Sequence, residues 1–320
     1  DYAKAHFNLA GSLHDLGQLE AAVKSYKNTL EIAPDYAEAH NNLGNVFKDL
    51  EQGDSAVQSY KKALEIKPDY VEAQYSLGIM LQDLGQLDEA IESYKAAIKI
   101  KPNFIEALNN LGNVLKEDGR LDDAIKFYEK AIAIKPDYAE VLNNLGNALK
   151  RLEQLDAAIR SLEKAIAIKP NYAEAHYNLG DTLQKLGQLD ASVRSYEKAI
   201  AIKPNYAEAH NNLGNTFKRL DQPDKAIKHY EQALAIKPDY AEVYANRGNV
   251  LKDLKRLDEA LASYKCAIDL KPDTDFTLGY FLHTKIHLCI WDNLSIHIEK
   301  IIEKTKHDSG TVFTLDNRNI

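Results

Sequence analysis

Apolar and small residues recur along this chain with a helical period, and that pattern itself repeats every 34 residues. Pro34, Pro68, Pro102, Pro136, Pro170, Pro204, Pro238 and Pro272 keep the spacing, and only Pro223 is out of step. Numbering a unit 1 to 34 from Ala3, Ala37, Val71, Ile105, Ala139, Ala173, Ala207 and Ala241 gives eight copies over residues 3–274. Positions 7 and 8 read Leu-Gly in most copies. Position 20 is Ala except Ser192, position 24 is Tyr except Leu162, and position 27 is Ala except Thr29. The pattern predicts two helices per unit, with the small residues at positions 8 and 20 letting helix backbones approach closely. One such unit cannot bury its own apolar face, so its neighbours must supply the core.

The helix ends are marked in sequence. Asp69, Asp137 and Asn171 precede Glu72, Glu140 and Glu174 by three residues, a capping-box spacing. Asp88, Asp122, Asp156, Asp190, Asp224 and Asp258 are expected as acidic N-caps of the second helices. Gly17, Gly85, Gly119 and Gly187 fall where a left-handed residue ends the first helix.

After Pro272 the repeat fails. Residues 275–308 still read as helical, with Leu278, Phe281, Leu282, Ile286, Trp291, Leu294, Ile298, Ile301 and Ile302 as an apolar set, and are expected to cap the array. Residues 309–320 lack periodicity and are expected to form a loose tail. At the other end, Asp1 and Tyr2 match the last two positions of a unit. The array is therefore expected to be cut from a longer one, with an exposed first repeat open to self-association.

The Leu-Gly, Ala-x3-Tyr and Pro spacing, eight times over, resembles the tetratricopeptide repeat, although the family's usual Trp at position 4 is replaced by His, Gln, Leu or Tyr. The resemblance implies an all-α, right-handed α-solenoid over residues 1–274, with the first helices lining a concave surface that binds extended peptides or proteins. A second resemblance lies at the junction. Leu278-Gly-Tyr-Phe-Leu-His-Thr-Lys-Ile-His-Leu-Cys-Ile-Trp291 is similar to the segment following the repeats in bacterial O-linked N-acetylglucosamine transferase (SPINDLY-like) proteins. It implies a substrate-recognition arm for a nucleotide-sugar-dependent glycosyltransferase whose catalytic lobes are not in this chain. The competing reading is a stand-alone scaffold.

Composition narrows the partners. A formal charge of −8 argues against nucleic acid. Cys266 and Cys289 give no disulfide framework, which suits a reducing, cytoplasmic setting, with Cys266 expected to be packed within the last repeat. No apolar run is long enough to span a bilayer.

A helix turns about 100° per residue, so positions 2, 6, 9 and 13 of the first helix share one polar stripe. At position 6 stand Asn42, Asn110, Asn144, Asn178, Asn212 and Asn246; Asn113 and Asn147 are at position 9. An Asn amide offers donor and acceptor together. These amides either satisfy neighbouring helices or hold a peptide by its backbone, as an asparagine ladder does in the glycosyltransferase family. Position 13 changes sign along the chain, from Asp15, Asp49, Asp83 and Glu117 to Arg151, Lys185 and Arg219, then Asp253. Basic segments are thus expected in the first half and acidic ones in the second, or else a solvated rim with little preference.

No catalytic constellation is present. There is no nucleophile elbow and no phosphate-binding glycine loop. His6, His40, His176 and His210 at position 4 belong to the packing face, and His283 and His287 lack the zincin glutamate between them. No cofactor, metal or enzymatic activity is expected of this chain alone.

Overall fold

A computed structural model describes residues 2–271 and 275–292, and among them every regular element is an α-helix. They divide into two compact bodies, 1–170 and 171–320. The first holds five pairs: α1 (Tyr2–Asp15) and α2 (Leu19–Ile32), α3 (Ala37–Asp49) and α4 (Gly53–Ile66), α5 (Val71–Asp83) and α6 (Leu87–Ile100), α7 (Ile105–Glu117) and α8 (Leu121–Ile134), α9 (Ala139–Arg151) and α10 (Leu155–Ile168). The second holds α11 (Ala173–Lys185) and α12 (Leu189–Ile202), α13 (Ala207–Arg219) and α14 (Pro223–Ile236), α15 (Ala241–Asp253) and α16 (Leu257–Leu270), then α17 (Asp275–His287).

Within each body the first helix of a pair lies on its partner, and the second helix lies on the first helix of the next pair. Successive first helices also meet directly, whereas among the described residues no second helix reaches the next second helix. The first helices are the crowded side, so each stack curves toward them. Leu278, Phe281 and Leu282 of α17 are buried with Val250, Leu251 and Tyr264. That helix packs on α15 and α16 as a further first helix would. Leu294, Ile298, Ile301 and Ile302 and the tail 309–320 lie outside the described residues. At the other end, Leu9 of α1 and Leu16 just after it are exposed, while Leu43, Leu77, Leu111 and Leu145, at the same position as Leu9, are buried.

The repeated tyrosine is the centre of each unit. Tyr26, Tyr60, Tyr94, Tyr128, Tyr196, Tyr230 and Tyr264 are no more than 1% exposed. Position 8 explains how they fit. A Cβ placed on Gly44, Gly78, Gly112, Gly180, Gly214 or Gly248 would stand 2.5–2.8 Å from a ring carbon of the tyrosine in the same unit. These glycines thus make room for a phenol ring. At Gly146, opposite Leu162, the Ala158 carbonyl of the paired helix is also within 3.3 Å. Where position 20 is Ser192 rather than alanine, its hydroxyl donates to the Gly180 carbonyl at 2.8 Å and remains satisfied.

The capping expectations need correction. The N-caps of the first helices are Tyr36, Tyr70, Phe104, Tyr138, Tyr172, Tyr206 and Tyr240, and no side chain caps them. Asp69 and Asp137 fall one residue too early, and Glu72 and Glu140 sit at the second helical position rather than the third. The second helices begin after Gln18, Gln52, Gln86, Arg120, Gln154, Gln188, Gln222 and Arg256, so Asp88 and its equivalents are also second-position residues. They still complement the helix dipole. Glu38 and Glu140 instead reach Lys67 and Lys169 at 3.5 and 2.8 Å. The lysines before the inter-unit turns lie over the N-cap rings, as in Lys67 on Tyr70 (4.7 Å) and Lys203 on Tyr206 (4.5 Å). Such pairs contribute roughly 0.5–1 kcal/mol each when exposed.

The turn glycines are left-handed as expected: φ is +72° at Gly17, +73° at Gly85, and +82° at Gly119 and Gly187. The same slot holds Glu51, Glu153, Asp221 and Lys255 at φ 56–62°. A non-glycine residue in that region costs roughly 1–2 kcal/mol, partly returned by the stiffer unfolded chain. Glu51→Gly is therefore expected to raise stability by about 0.5–1 kcal/mol, read as a higher urea midpoint at unchanged slope.

Candidate functional site

The polar stripe of the first helices is on the crowded side of each body, and its side chains are already bonded to one another. Asn110 donates from Nδ2 to the Tyr75 hydroxyl at 3.1 Å, and Asn144 to Asn109 Oδ1 at 3.0 Å. In the second body Asn212 donates to the Tyr177 hydroxyl at 3.0 Å, and Asn246 to Asn211 Oδ1 at 3.1 Å. Each bond joins position 6 of one unit to position 5 of the unit before. Asn42, Asn110 and Asn212 also accept from the neighbouring amides of Asn41, Asn109 and Asn211 at 3.2–3.4 Å. The partner oxygen was visible in sequence, because position 5 reads Tyr75, Asn109, Tyr177 and Asn211; no helical wheel drawn on one helix would connect it. Burial holds the Tyr75 and Tyr177 phenols above their usual range, helped by Glu106 near the first and Asp181 near the second. They therefore stay protonated and hydrogen-bonding at neutral pH.

Burial sorts the candidates. Asn42, Asn110, Asn144, Asn212 and Asn246 are half-buried. Asn178 is 4% exposed, so it does not line an open surface as expected. Position 9 serves the core. Asn45, Asn113, Asn215 and Asn249 accept from the hydroxyls of Tyr60, Tyr128, Tyr230 and Tyr264 at 2.7–2.9 Å. Asn113 thus gives its carbonyl oxygen to the core tyrosine. Asn147 differs because Leu162 replaces the tyrosine; its side chain makes no hydrogen bond among the described residues.

The position 13 charges also stitch adjacent units. Arg151 donates from Nη1 to the Lys116 carbonyl and Arg219 to the Gln184 carbonyl, both at 2.8 Å, covering the carbonyl end of the preceding first helix. Asp49 meets His14 at 2.7 Å, and Glu117 meets Gln82 at 3.4 Å. Arg151, Lys185 and Arg219 remain exposed. Beside the stripe, aromatic pairs form between position 5 and the next N-cap ring: Phe7–Tyr36 and Tyr75–Phe104 with centroids 4.8 Å apart, Tyr177–Tyr206 at 5.0 Å.

Chemically, the site offers amides and phenols and no converging catalytic groups. Among the described residues no group of three or more His, Cys, Asp or Glu could hold a metal, and no helix is long and apolar enough to cross a membrane. Cys266 is exposed, contrary to the expectation that the last repeat would pack it.

Family profiles match most of the repeat region. A tetratricopeptide repeat profile matches residues 103–171, 172–239 and 207–273, and a second TPR repeat profile matches 11–51, 44–85 and 80–119. No curated protein matches the chain. Among solved structures, a tetratricopeptide repeat protein from Parabacteroides merdae is 20% identical, covers 78% of this chain and 98% of its own, and has a TM-score of 0.63. MamA is 32% identical over 52% of this chain and 97% of its own, with a TM-score of 0.48. YrrB, described as a TPR protein with an unusual peptide-binding site, is 24% identical over 58% of this chain and 96% of its own, also with a TM-score of 0.48.

Proposed function

The chain belongs to the tetratricopeptide repeat family, and from that premise we propose that the first-helix faces of its two bodies hold extended peptide segments by their backbones. One observation carries the reading. Half-buried amides stand on adjacent first helices, and each spends only part of its capacity on the fold. Asn144 commits one N–H to Asn109 and keeps the other, together with its carbonyl oxygen. Asn110 likewise keeps one N–H. A peptide unit needs one donor and one acceptor, so a row of such amides suits a strand of any sequence. Arg151, Lys185 and Arg219 bias the later part of the face toward acidic segments, and Asp15, Asp49, Asp83 and Glu117 bias the earlier part toward basic ones.

The test is a fluorescence-anisotropy titration of peptides selected on an array, comparing the parent with an Asn110/Asn144/Asn212→Ala variant. Each lost hydrogen bond is expected to cost about 0.5–1.5 kcal/mol, so the triple variant loses roughly 10- to 1000-fold across ligands of unrelated sequence. Circular dichroism confirms that the variant is folded. Unchanged affinity in a folded variant overturns the reading. Loss confined to some peptides points instead to side-chain pockets such as Tyr75–Phe104.

In its finer form the proposal makes this face the substrate-recognition arm of an O-linked N-acetylglucosamine transferase-like enzyme. The support is the junction segment 278–291, which lies beyond the residues matched by the repeat profiles. A stand-alone scaffold is the alternative. Whether the parent reading frame continues into several hundred α/β residues separates the two.

A further inference from the structure

A pocket of about 440 Å³ opens between α3 and α4. It involves positions 4 and 11 of the first helix, on the side turned away from the amide stripe. His40 and Phe47 come from α3, and Ser59, Lys61, Lys62 and Glu65 from α4. The unit starting at Ala207 shows what fills the same place. There positions 4 and 11 are again His and Phe, His210 and Phe217, but position 23 is His229 where the earlier unit has Ser59. The His229 ring stacks on Phe217 (5.4 Å, 16°) and on His210 (5.5 Å, 27°), with Nδ1 of the two imidazoles 3.2 Å apart. Pro204's carbonyl takes the other hydrogen bond of His210. His210 Nδ1 is then the acceptor and His229 Nδ1 the donor. Burial, then His210 and Lys228, lower the His229 pKa to about 4, so this ring is neutral.

The earlier unit keeps the histidine and phenylalanine walls of that slot, lacks the ring, and carries Lys61 and Lys62 where the later unit has Glu231 and Gln232. His40 Nε2 bonds the Pro34 carbonyl at 2.9 Å. A carbonyl can only accept, so Nε2 carries the proton and Nδ1 is left as the acceptor of the neutral ring. Phe47 supplies the stacking face. Ser59 turns its hydroxyl back to the Ser55 carbonyl at 2.8 Å and occupies none of the space. At the mouth Lys62 is held by Glu65 at 2.6 Å, while Lys61 has no ion-pair partner among the described residues.

We propose that the His40–Phe47–Ser59 slot is a binding site for a flat nitrogen heterocycle that carries a ring N–H and an acidic substituent. The ring stacks on Phe47, its N–H donates to His40 Nδ1, and the acid faces Lys61. The slot volume lies within the range of small-ligand sites. The inference is independent of peptide capture on the opposite side of α3.

The experiment titrates imidazole-4-acetate and indole-3-acetate into the full chain at about pH 8, where free imidazole is neutral, using calorimetry and ligand-observed saturation transfer. The two probes report which ring size fits. One site is expected. Ser59→His should supply its own imidazole, as His229 does, and weaken binding by roughly tenfold or more with the melting temperature kept. His229→Ser opens the same space in the later unit, but Glu231 stands there in place of Lys61, so the stoichiometry should stay at one. Should Ser59→His fail to fold, Phe47→Leu removes the stacking face instead and is expected to weaken binding similarly. Absence of binding by both probes, or binding indifferent to Ser59→His and Phe47→Leu, overturns the assignment.

Discussion

Alanine in place of Gly112 is expected to destabilise the 1–170 body by about 2 kcal/mol, although alanine is the better helix former. Propensity alone predicts a gain of about 1 kcal/mol for removing a glycine from a helix interior. Packing predicts the opposite. The new Cβ would stand 2.5 Å from Cε1 and 2.8 Å from Cδ1 of Tyr128, a ring with no exposed surface. Neither the ring nor α7 can retreat without opening voids around Leu108, Leu111 and Leu115, which are all at most 1% exposed. Overpacking of this kind typically costs about 1–3 kcal/mol, occasionally more. The sign of the change in urea unfolding therefore decides which effect rules. A double-mutant cycle locates the cause: once Tyr128 is cut to alanine, the Gly112→Ala step should become neutral or favourable. A stabilising single variant, or a step unchanged by Tyr128→Ala, would show that the tyrosine does not set position 8. Gly119 is the contrasting case, since nothing lies within 4 Å of its missing Cβ and only its φ of +82° resists substitution.

Raising the pH past about 10 is expected to unfold the protein cooperatively. The seven buried tyrosines ionise near pH 10 when unfolded. In the fold, burial moves each of these phenols upward, well above that value at Tyr60, Tyr94, Tyr128, Tyr196, Tyr230 and Tyr264. A group whose folded pKa is raised contributes stability below its unfolded pKa and loses it as pH climbs. At about pH 11 each phenol that remains protonated in the fold costs about 1.4 kcal/mol relative to the unfolded chain. Seven of them rival the roughly 5–15 kcal/mol that holds a typical domain. The hydrogen bonds sharpen the effect, because a phenolate at Tyr128 would face the Asn113 carbonyl oxygen it now donates to at 2.7 Å. Phenolate absorbance and helical circular dichroism, titrated together, should show the seven buried phenols ionising only as helix is lost. Smooth ionisation of all 18 tyrosines near pH 10 with helix intact would refute this.

The helices and their pairing were legible because the 34-residue period repeats each signal eight times. Left-handed termination was legible at Gly17, Gly85, Gly119 and Gly187, where residue type and conformation coincide. It was hidden at Glu51 and Lys255, which adopt the same angles with no compositional mark. The N-caps failed by one residue of phase. Asp69 to Glu72 has the right spacing, but the helix starts after Tyr70, and spacing does not fix where the backbone turns. The amide stripe was read from single helices, and its internal bonds were missed. Asn110 to Tyr75 and Asn144 to Asn109 each span 35 residues, a distance set by how one unit seats on another.

Those 35-residue bonds act like clasps along the inner seam of a fan whose outer ribs do not touch. Flexing a body would stretch the seam first and leave the phenol-filled centres of the ribs intact. A strand that took over some of the amides' spare capacity would stiffen the seam, and one that displaced the clasps would soften it. Elasticity would then report occupancy: a cargo could change how far the fan spreads without shifting a single helix pair internally.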